Sequence, residues 1–80
     1  MTINVLFFGI ARDYAGSRSM KFDFPQDTSV KSIRSTLEQK YPALNGLKQY
    51  AVAVNNEYAG DDVVVNDGDE IAILPPVSGG

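Results

Sequence analysis

The sequence predicts an α+β fold in which a mixed β-sheet packs against one main helix. Segments of alternating apolar and polar residues lie near both ends of the chain, and one segment with helical spacing lies between them. The predicted order is β-β-α-β-(β)-β, with no internal repeat. With 80 residues, the chain forms one domain that has a core but no room for a deep catalytic cavity.

The first two predicted strands form a hairpin. Residues 2–10 (TINVLFFGI) are rich in β-branched and aromatic residues, and residues 19–24 (SMKFDF) alternate again. Gly and Ser in residues 14–17 (YAGS) indicate the connecting loop. Alternation divides the first strand into two faces, one with Ile3, Val5 and Phe7 and the other with Leu6 and Phe8.

An amphipathic helix is predicted over residues 30–40. Val30, Ile33 and Leu37 recur at helical spacing, while polar residues fill the opposite face. Pro42 ends the helix at the residue before it. Three successive residues are each good N-caps, and the sequence does not choose among them: Asp27, Thr28 and Ser29.

The second half of the chain supplies the remaining strands. Extended segments and turns alternate along it: a strand over residues 49–54, a turn at 55–56, short extended pieces at 58 and 63–65, a turn over 66–69 and a last strand over 70–74. The helical connection lets the first and last strands lie side by side.

One helix can cover only one face of this sheet. We assign the largely β-branched set to the core: Ile3, Val5, Phe7, Val52, Val54, Ile71 and Ile73. The opposite face then carries a second apolar set: Leu6, Phe8, Ala51, Ala53, Ala72 and Leu74. Because an exposed apolar patch usually marks a binding surface, we interpret this set as a surface for a partner. Two alternatives stay open: the strand faces are reversed, or the loop over residues 42–48 covers the patch.

The composition leaves the chain little chemistry of its own. It contains no Cys and no His, which excludes disulfides, thiolate nucleophiles, imidazole bases and common zinc sites. The net charge is −3 and the Lys and Arg residues are scattered singly, so we expect no nucleic acid as a partner. Paired carboxylates such as Asp67 and Asp69 lie in a turn, where solvation is a better explanation than catalysis. We also expect no metal, no membrane contact and a cytoplasmic location, since neither a spanning segment nor a signal peptide is visible.

The C-terminal segment IAILPPVSGG suggests a group that is carried to another protein. Pro75 and Pro76 favour a stiff, extended chain, and Gly79 and Gly80 have no side chain to obstruct a narrow channel. The reactive group at the tip is the α-carboxylate of Gly80, which becomes an electrophile only after activation. We therefore divide the chain into a domain over residues 1–75 and a flexible tail over residues 76–80.

Three segments carry a resemblance to a known family: VLFFGIARDYAG, VAVNNEY and NDGDEIAILPPVSGG. With them the chain resembles the ubiquitin-like sulfur-carrier family, and within it the small subunits of molybdopterin synthase. The resemblance implies a β-grasp fold. It also implies that an activating enzyme adenylates Gly80, that a sulfur donor converts it to a thiocarboxylate, and that Gly79 and Gly80 enter the partner's active site. There the sulfur passes to cyclic pyranopterin monophosphate in molybdenum cofactor biosynthesis.

The resemblance further implies which residues and molecules take part. Phe8, Tyr58 and Leu74 correspond to the family's contact patch, and Arg12 to a basic position in its first loop. The tail residues Pro75, Pro76, Val77 and Ser78 would contact partners. Three partners are implied: the large subunit of molybdopterin synthase, in a heterotetramer of two small and two large subunits, a ubiquitin-activating-like adenylyltransferase, and a sulfurtransferase as sulfur donor. The chain would bind no cofactor and would not be catalytic alone, and the ATP would be used by the activating partner.

Two other functions share the same tail. One is a sulfur carrier for thiamine, cysteine or tRNA thiolation. The other is a ubiquitin-like binding module or protein modifier, in which Gly80 would be joined to a lysine amine.

Overall fold

The computed structural model describes residues 1–47 and 49–76. These residues form, in chain order, β1 (Thr2–Phe7), α1 (Ile10–Ala15), β2 (Ser19–Asp23), α2 (Val30–Lys40), a 3-10 helix (Pro42–Gly46), β3 (Ala51–Val54), β4 (Glu57–Tyr58) and β5 (Glu70–Leu74). Apart from α1 and the 3-10 helix, this is the predicted order of elements.

The strands form one mixed sheet in the order β2-β1-β5-β3-β4. β1 pairs antiparallel with β2 and parallel with β5, and β3 pairs antiparallel with both β5 and β4. Parallel pairing of β1 with β5 requires a long crossover between them, and α2 lies in that crossover. The prediction that the first and last strands lie side by side is confirmed.

Helix α2 has the predicted bounds, and the structure selects its N-cap. Ser29 has extended dihedral angles, and its Oγ accepts a hydrogen bond from the backbone N–H of Ser32 at 3.3 Å. The Thr28 hydroxyl instead donates to the Pro25 carbonyl at 2.7 Å, which stabilises the preceding turn. Asp27 has a φ of 63° and lies further from the helix.

The core lies between α2 and one face of the sheet. Val30, Ile33 and Leu37 of α2 are fully buried. Six of the seven strand residues assigned to the core are buried as well: Ile3, Val5, Phe7, Val52, Ile71 and Ile73. The seventh, Val54, is only half-buried and packs against the edge of this core, because it ends β3 beside the turn at Asn55 and Asn56.

The first strand is shorter than predicted. It ends at Phe7, and Gly9 turns the chain with φ +55°, a conformation that favours glycine. Residues predicted as the strand end and loop then form α1, with Ala11 in the core. Gly16 ends α1 in the left-handed conformation, and its N–H donates to the Arg12 carbonyl at 2.9 Å. A helix of six residues is too short to give a periodic signal, which is why the alternation-based prediction was wrong here.

The segment after α2 lies on the helix side of the sheet. Leu44 of the 3-10 helix is buried in the core, and Leu47 packs against the core from outside. The described part of this loop therefore does not cover the second apolar face, and the strand faces are not reversed. The alternative of reversed strand faces is therefore wrong, and the alternative of a covering loop is wrong for residues 42–47.

Candidate functional site

The strand register arranges the open face of the sheet in rows that run across the strands. One row consists of Ser19, Leu6, Ala72, Ala53 and Tyr58, each paired with the next. Except for Ser19 at the edge, this row is apolar or aromatic. It forms the middle of the face.

A second row lies nearer the C-terminal end of β5. Ala51 pairs with Leu74 there. Phe8 continues the line of β1, since its backbone N–H donates to the Ile73 carbonyl at 3.2 Å. The Phe8 side chain is 47% exposed and adds a large apolar surface to this row.

The row at the other end of the face is polar. Lys21 pairs with Asn4, and Asn4 pairs with Glu70. The apolar part of the open face therefore extends from its middle to the end at which β5 runs into the tail. A one-residue shift in register would exchange these faces, so the pairing itself creates the patch.

The two apolar rows line a shallow groove. Its walls are Leu6, Phe8, Ala53, Asn56, Tyr58, Glu70, Ala72 and Leu74. The groove has a volume of about 240 Å³, below the range of roughly 300–1,000 Å³ that is typical of small-molecule sites. Its size and apolar lining suit contact with another protein better than a small ligand.

The predicted patch residues meet in this groove, with one correction. Phe8, Tyr58 and Leu74 all line it, and Tyr58 is 81% exposed. Ala53 was predicted to be exposed but is buried, because it lies in the floor of the groove between Ala72 and Tyr58 on the neighbouring strands.

The tail begins beside Gly9. A Cβ atom on Gly9 would lie 3.3 Å from Cγ of Pro75, so the proline ring packs directly against the glycine. Pro75 is half-buried and Pro76 is exposed. The remaining predicted site residues, Val77, Ser78, Gly79 and Gly80, lie outside the described residues.

Two arginines lie close to Gly9, against which the tail starts, and only one of them was predicted. Arg12 lies on α1 rather than in a loop, and Arg18 precedes β2. Both side chains line one concave surface with Phe8 and Gly9. The sequence carried no signal for Arg18, since its approach to Phe8 results from the antiparallel pairing of β1 with β2.

A polar cluster between α2 and the residue before β3 stabilises the fold. The Tyr50 hydroxyl donates to Oε2 of Glu38, and the Arg34 guanidinium lies 4.5 Å from the centre of the Tyr50 ring. Burial, together with the hydrogen bond and charge of Glu38, raises the pKa of Tyr50 to about 12. The hydroxyl is thus kept protonated and joins β3 to α2, without a role in the groove.

Metal and membrane sites find no support in the described part of the chain. Residues 1–47 and 49–76 contain no group of acidic, His or Cys side chains that could hold a metal ion. Within the same ranges, no helix has the length and apolar character needed to span a bilayer.

Comparison with known proteins supports the predicted kinship. The model of the ThiS family matches residues 5–80. A molybdopterin synthase sulfur carrier subunit from Caenorhabditis elegans is 43% identical over 100% of this chain and 99% of its own length.

Solved structures extend the likeness to the fold. The crystal structure of SAMP1 from Haloferax volcanii is 29% identical, with a TM-score of 0.87 and full coverage of both chains. A chain in the complex of subunits 1 and 2 of molybdopterin-converting factor from Helicobacter pylori is 28% identical, also with full coverage of both chains and a TM-score of 0.73. The predicted ubiquitin-like β-grasp fold is confirmed by these neighbours.

Proposed function

The chain belongs to the ThiS family, and on that premise we propose that it is the sulfur carrier subunit of a molybdopterin synthase. In this role it is a co-substrate, and a partner supplies the catalytic groups. The observation that carries the proposal is the position of the apolar groove: it lies on β5 and its neighbours, and β5 runs directly into the tail. A protein that docks on the groove therefore lies next to the segment that ends in Gly80.

Geometry limits how far the partner's active site can lie from the groove. Four residues follow Pro76, and an extended chain of this length reaches about 13 Å. The packing of Pro75 against Gly9 determines the direction in which the tail starts. The groove thus holds the partner, and the tail delivers its terminal carbon to a site at most about that distance from Pro76.

The proposed chemistry takes place at the C-terminal carbon. The Gly80 carboxylate attacks the α-phosphate of ATP on an adenylyltransferase, and pyrophosphate leaves. A sulfurtransferase that acts with a thiol reductant then delivers sulfur at the sulfide level to the acyl carbon. AMP leaves, the thiol is oxidised to a disulfide, and Gly80 is left as a thiocarboxylate. On the large synthase subunit the sulfur passes to the pterin substrate, and water restores the Gly80 carboxylate.

The test is mass spectrometry of the chain purified from its own cells without reductant. We expect a fraction with the mass change for one oxygen replaced by sulfur, mapped by fragmentation to Gly80. Mapping is needed because oxidation of methionine adds nearly the same mass. Addition of the large subunit and its pterin substrate should remove the modification, whereas a chain that lacks Gly80 should never acquire it.

Two other outcomes would contradict the molybdopterin role. A modification that maps to Gly80 but persists with the large subunit would indicate a sulfur carrier for thiamine, cysteine or tRNA thiolation. An unmodified Gly80 under all growth conditions would contradict sulfur carriage altogether.

A second candidate function is protein modification. It is favoured by the likeness to SAMP1, since solved structures from the same fold group are named small archaeal modifier proteins. In that case Gly80 forms an isopeptide bond with a lysine amine, and cell extracts contain adducts of higher mass. Adducts that disappear when Gly80 is deleted would establish this function.

A further inference from the structure

The two arginines beside the groove are held in place by the backbone near Phe8. The Phe7 N–H donates to the Arg18 carbonyl at 2.8 Å, and the Arg12 N–H donates to the Gly9 carbonyl at 3.1 Å. The left-handed turn at Gly16 returns the chain from α1 to β2. As a result, two arginines six positions apart in the sequence line one concave surface.

The local charge beside Phe8 is positive although the chain as a whole is acidic. Arg12 and Arg18 are both exposed, and the ion pair found among residues 1–47 and 49–76 is Arg34–Asp61, which involves neither of them. Asp13 lies in the adjoining concave surface with both arginines, which leaves one net positive charge. The opposite end of the groove carries Glu70, which lies in the same row as Asn4 and Lys21.

The groove therefore borders a basic surface at its Phe8 end and the polar row of Lys21, Asn4 and Glu70 at its other end, with apolar residues between them. An apolar patch alone can be approached in several orientations, but charges at its rim favour one of them. Rim charges act mainly on the rate of association and on the choice of partner. The basic surface includes Gly9, and Pro75 at the start of the tail packs against that residue.

We propose that Arg12 and Arg18 together form a basic clamp that docks against carboxylates on the partner, at the entrance of the site that receives the tail. The proposal rests on the proposed function, since the partner is the large subunit that accepts the carrier. Arg18 is a specificity-determining residue of this surface, and its role cannot be read from the tail or from the apolar patch. The clamp orients the groove so that Pro75 faces the entrance when the two surfaces meet.

The experiment measures association of the complete chain with the large subunit by stopped flow at two salt concentrations. The test variants are Arg18→Glu and the double variant Arg12→Glu/Arg18→Glu. Lys31→Glu is the matched control, because it makes the same change in net charge at an exposed position on α2. Phe8→Glu reports separately on the apolar groove.

At low ionic strength we expect Arg18→Glu to reduce the association rate constant by about 3- to 10-fold, and the double variant to reduce it further. Lys31→Glu should change it less than about 2-fold, because its charge lies away from the interface. At about 1 M salt, where the screening length is roughly 3 Å, the difference between Arg18→Glu and the control should nearly vanish.

The outcomes separate the clamp from the proposed function. Equal rates for Arg18→Glu and Lys31→Glu, with binding lost in Phe8→Glu, would overturn the clamp and leave the docking groove intact. A loss for Arg18→Glu that persists at high salt would also overturn it, since the effect would then not be electrostatic. Binding that survives Phe8→Glu would instead contradict the docking surface on which both proposals depend.

Discussion

The Phe8→Glu variant tests the docking groove most directly. Phe8 lines the groove and is 47% exposed, so the change introduces a carboxylate where a partner has to pack. Because the side chain is not part of the core, the substitution separates binding from folding. The backbone hydrogen bond from Phe8 to Ile73 does not depend on the side chain and is retained.

The expected loss of binding follows from the exposed area. A Phe side chain has roughly 200 Å² of surface, so the exposed 47% is about 90 Å². Covering this area contributes about 2 kcal/mol. An unpaired carboxylate buried in its place costs a further 1–3 kcal/mol or so. The sum of about 3–5 kcal/mol corresponds to an increase in Kd of at least about 100-fold.

The assay is titration calorimetry of the variant with the large synthase subunit, together with thermal unfolding of the variant alone. Val64→Glu is the matched control, since Val64 is 50% exposed and pairs with Ser29 at the start of α2 rather than lining the groove. We expect both variants to unfold within about 4 °C of the original chain. The control should bind normally.

Two results would refute this reasoning. If Phe8→Glu binds as tightly as Val64→Glu, the groove is not the docking surface. If Phe8→Glu unfolds at a much lower temperature, Phe8 supports the fold more than its exposure indicates. In that case Phe8→Ala serves as a milder variant, with an expected increase in Kd of roughly 30-fold from the lost apolar area alone.

Three further predictions concern the fold. Ser29→Ala removes the N-cap of α2 and should lower the free energy of unfolding by about 1 kcal/mol in urea denaturation. The control Ser35→Ala, on the exposed face of α2, should leave it unchanged. Equal losses in the two variants would contradict the capping role of Ser29. Leu37→Ala empties a fully buried position and should cost about 2–5 kcal/mol in the same assay, so a cost below 1 kcal/mol or so would contradict the packing described. Tyr50 holds its proton up to a pKa of about 12, while the unfolded chain loses it near pH 10. Tyr50 should therefore not affect the free energy of unfolding below pH 10, and should lower it between pH 10 and 12 by up to about 1.4 kcal/mol per pH unit. In Tyr50→Phe this contribution to the pH dependence should be absent. An unchanged pH dependence in that variant would contradict the raised pKa of Tyr50.

The elements that could be predicted are those with strong local signals. Helix α2 was predicted to the residue, because its apolar spacing, a proline after its end and good N-caps before its start agree with one another. The last strand was predicted equally well, since Asn66, Asp67 and Gly68 form a turn directly before it. Helix α1 was missed because its first two residues, Ile10 and Ala11, are apolar and continue the pattern of the preceding strand.

In the candidate site, too, the residues with a local signal were predicted and those that depend on strand pairing were not. Phe8 and Leu74 followed from alternation, since one helix cannot cover both faces of a sheet. The burial of Ala53 and the position of Arg18 did not follow, because each depends on which strands lie next to each other. The choice of Ser29 as N-cap also required the structure, because the Thr28 hydroxyl is used by the preceding turn.

By itself, the sequence determined the types of the main elements, the two faces of the sheet and the exclusion of thiol and imidazole chemistry. These depend on backbone sterics, on residue periodicity and on the absence of Cys and His, all of which are local or compositional. Only the tertiary structure decided that the apolar rows join into one groove, that Pro75 packs on Gly9 and that two arginines lie close to Gly9. Those features arise from pairing between residues far apart in the chain, and no local pattern specifies the register of such pairs.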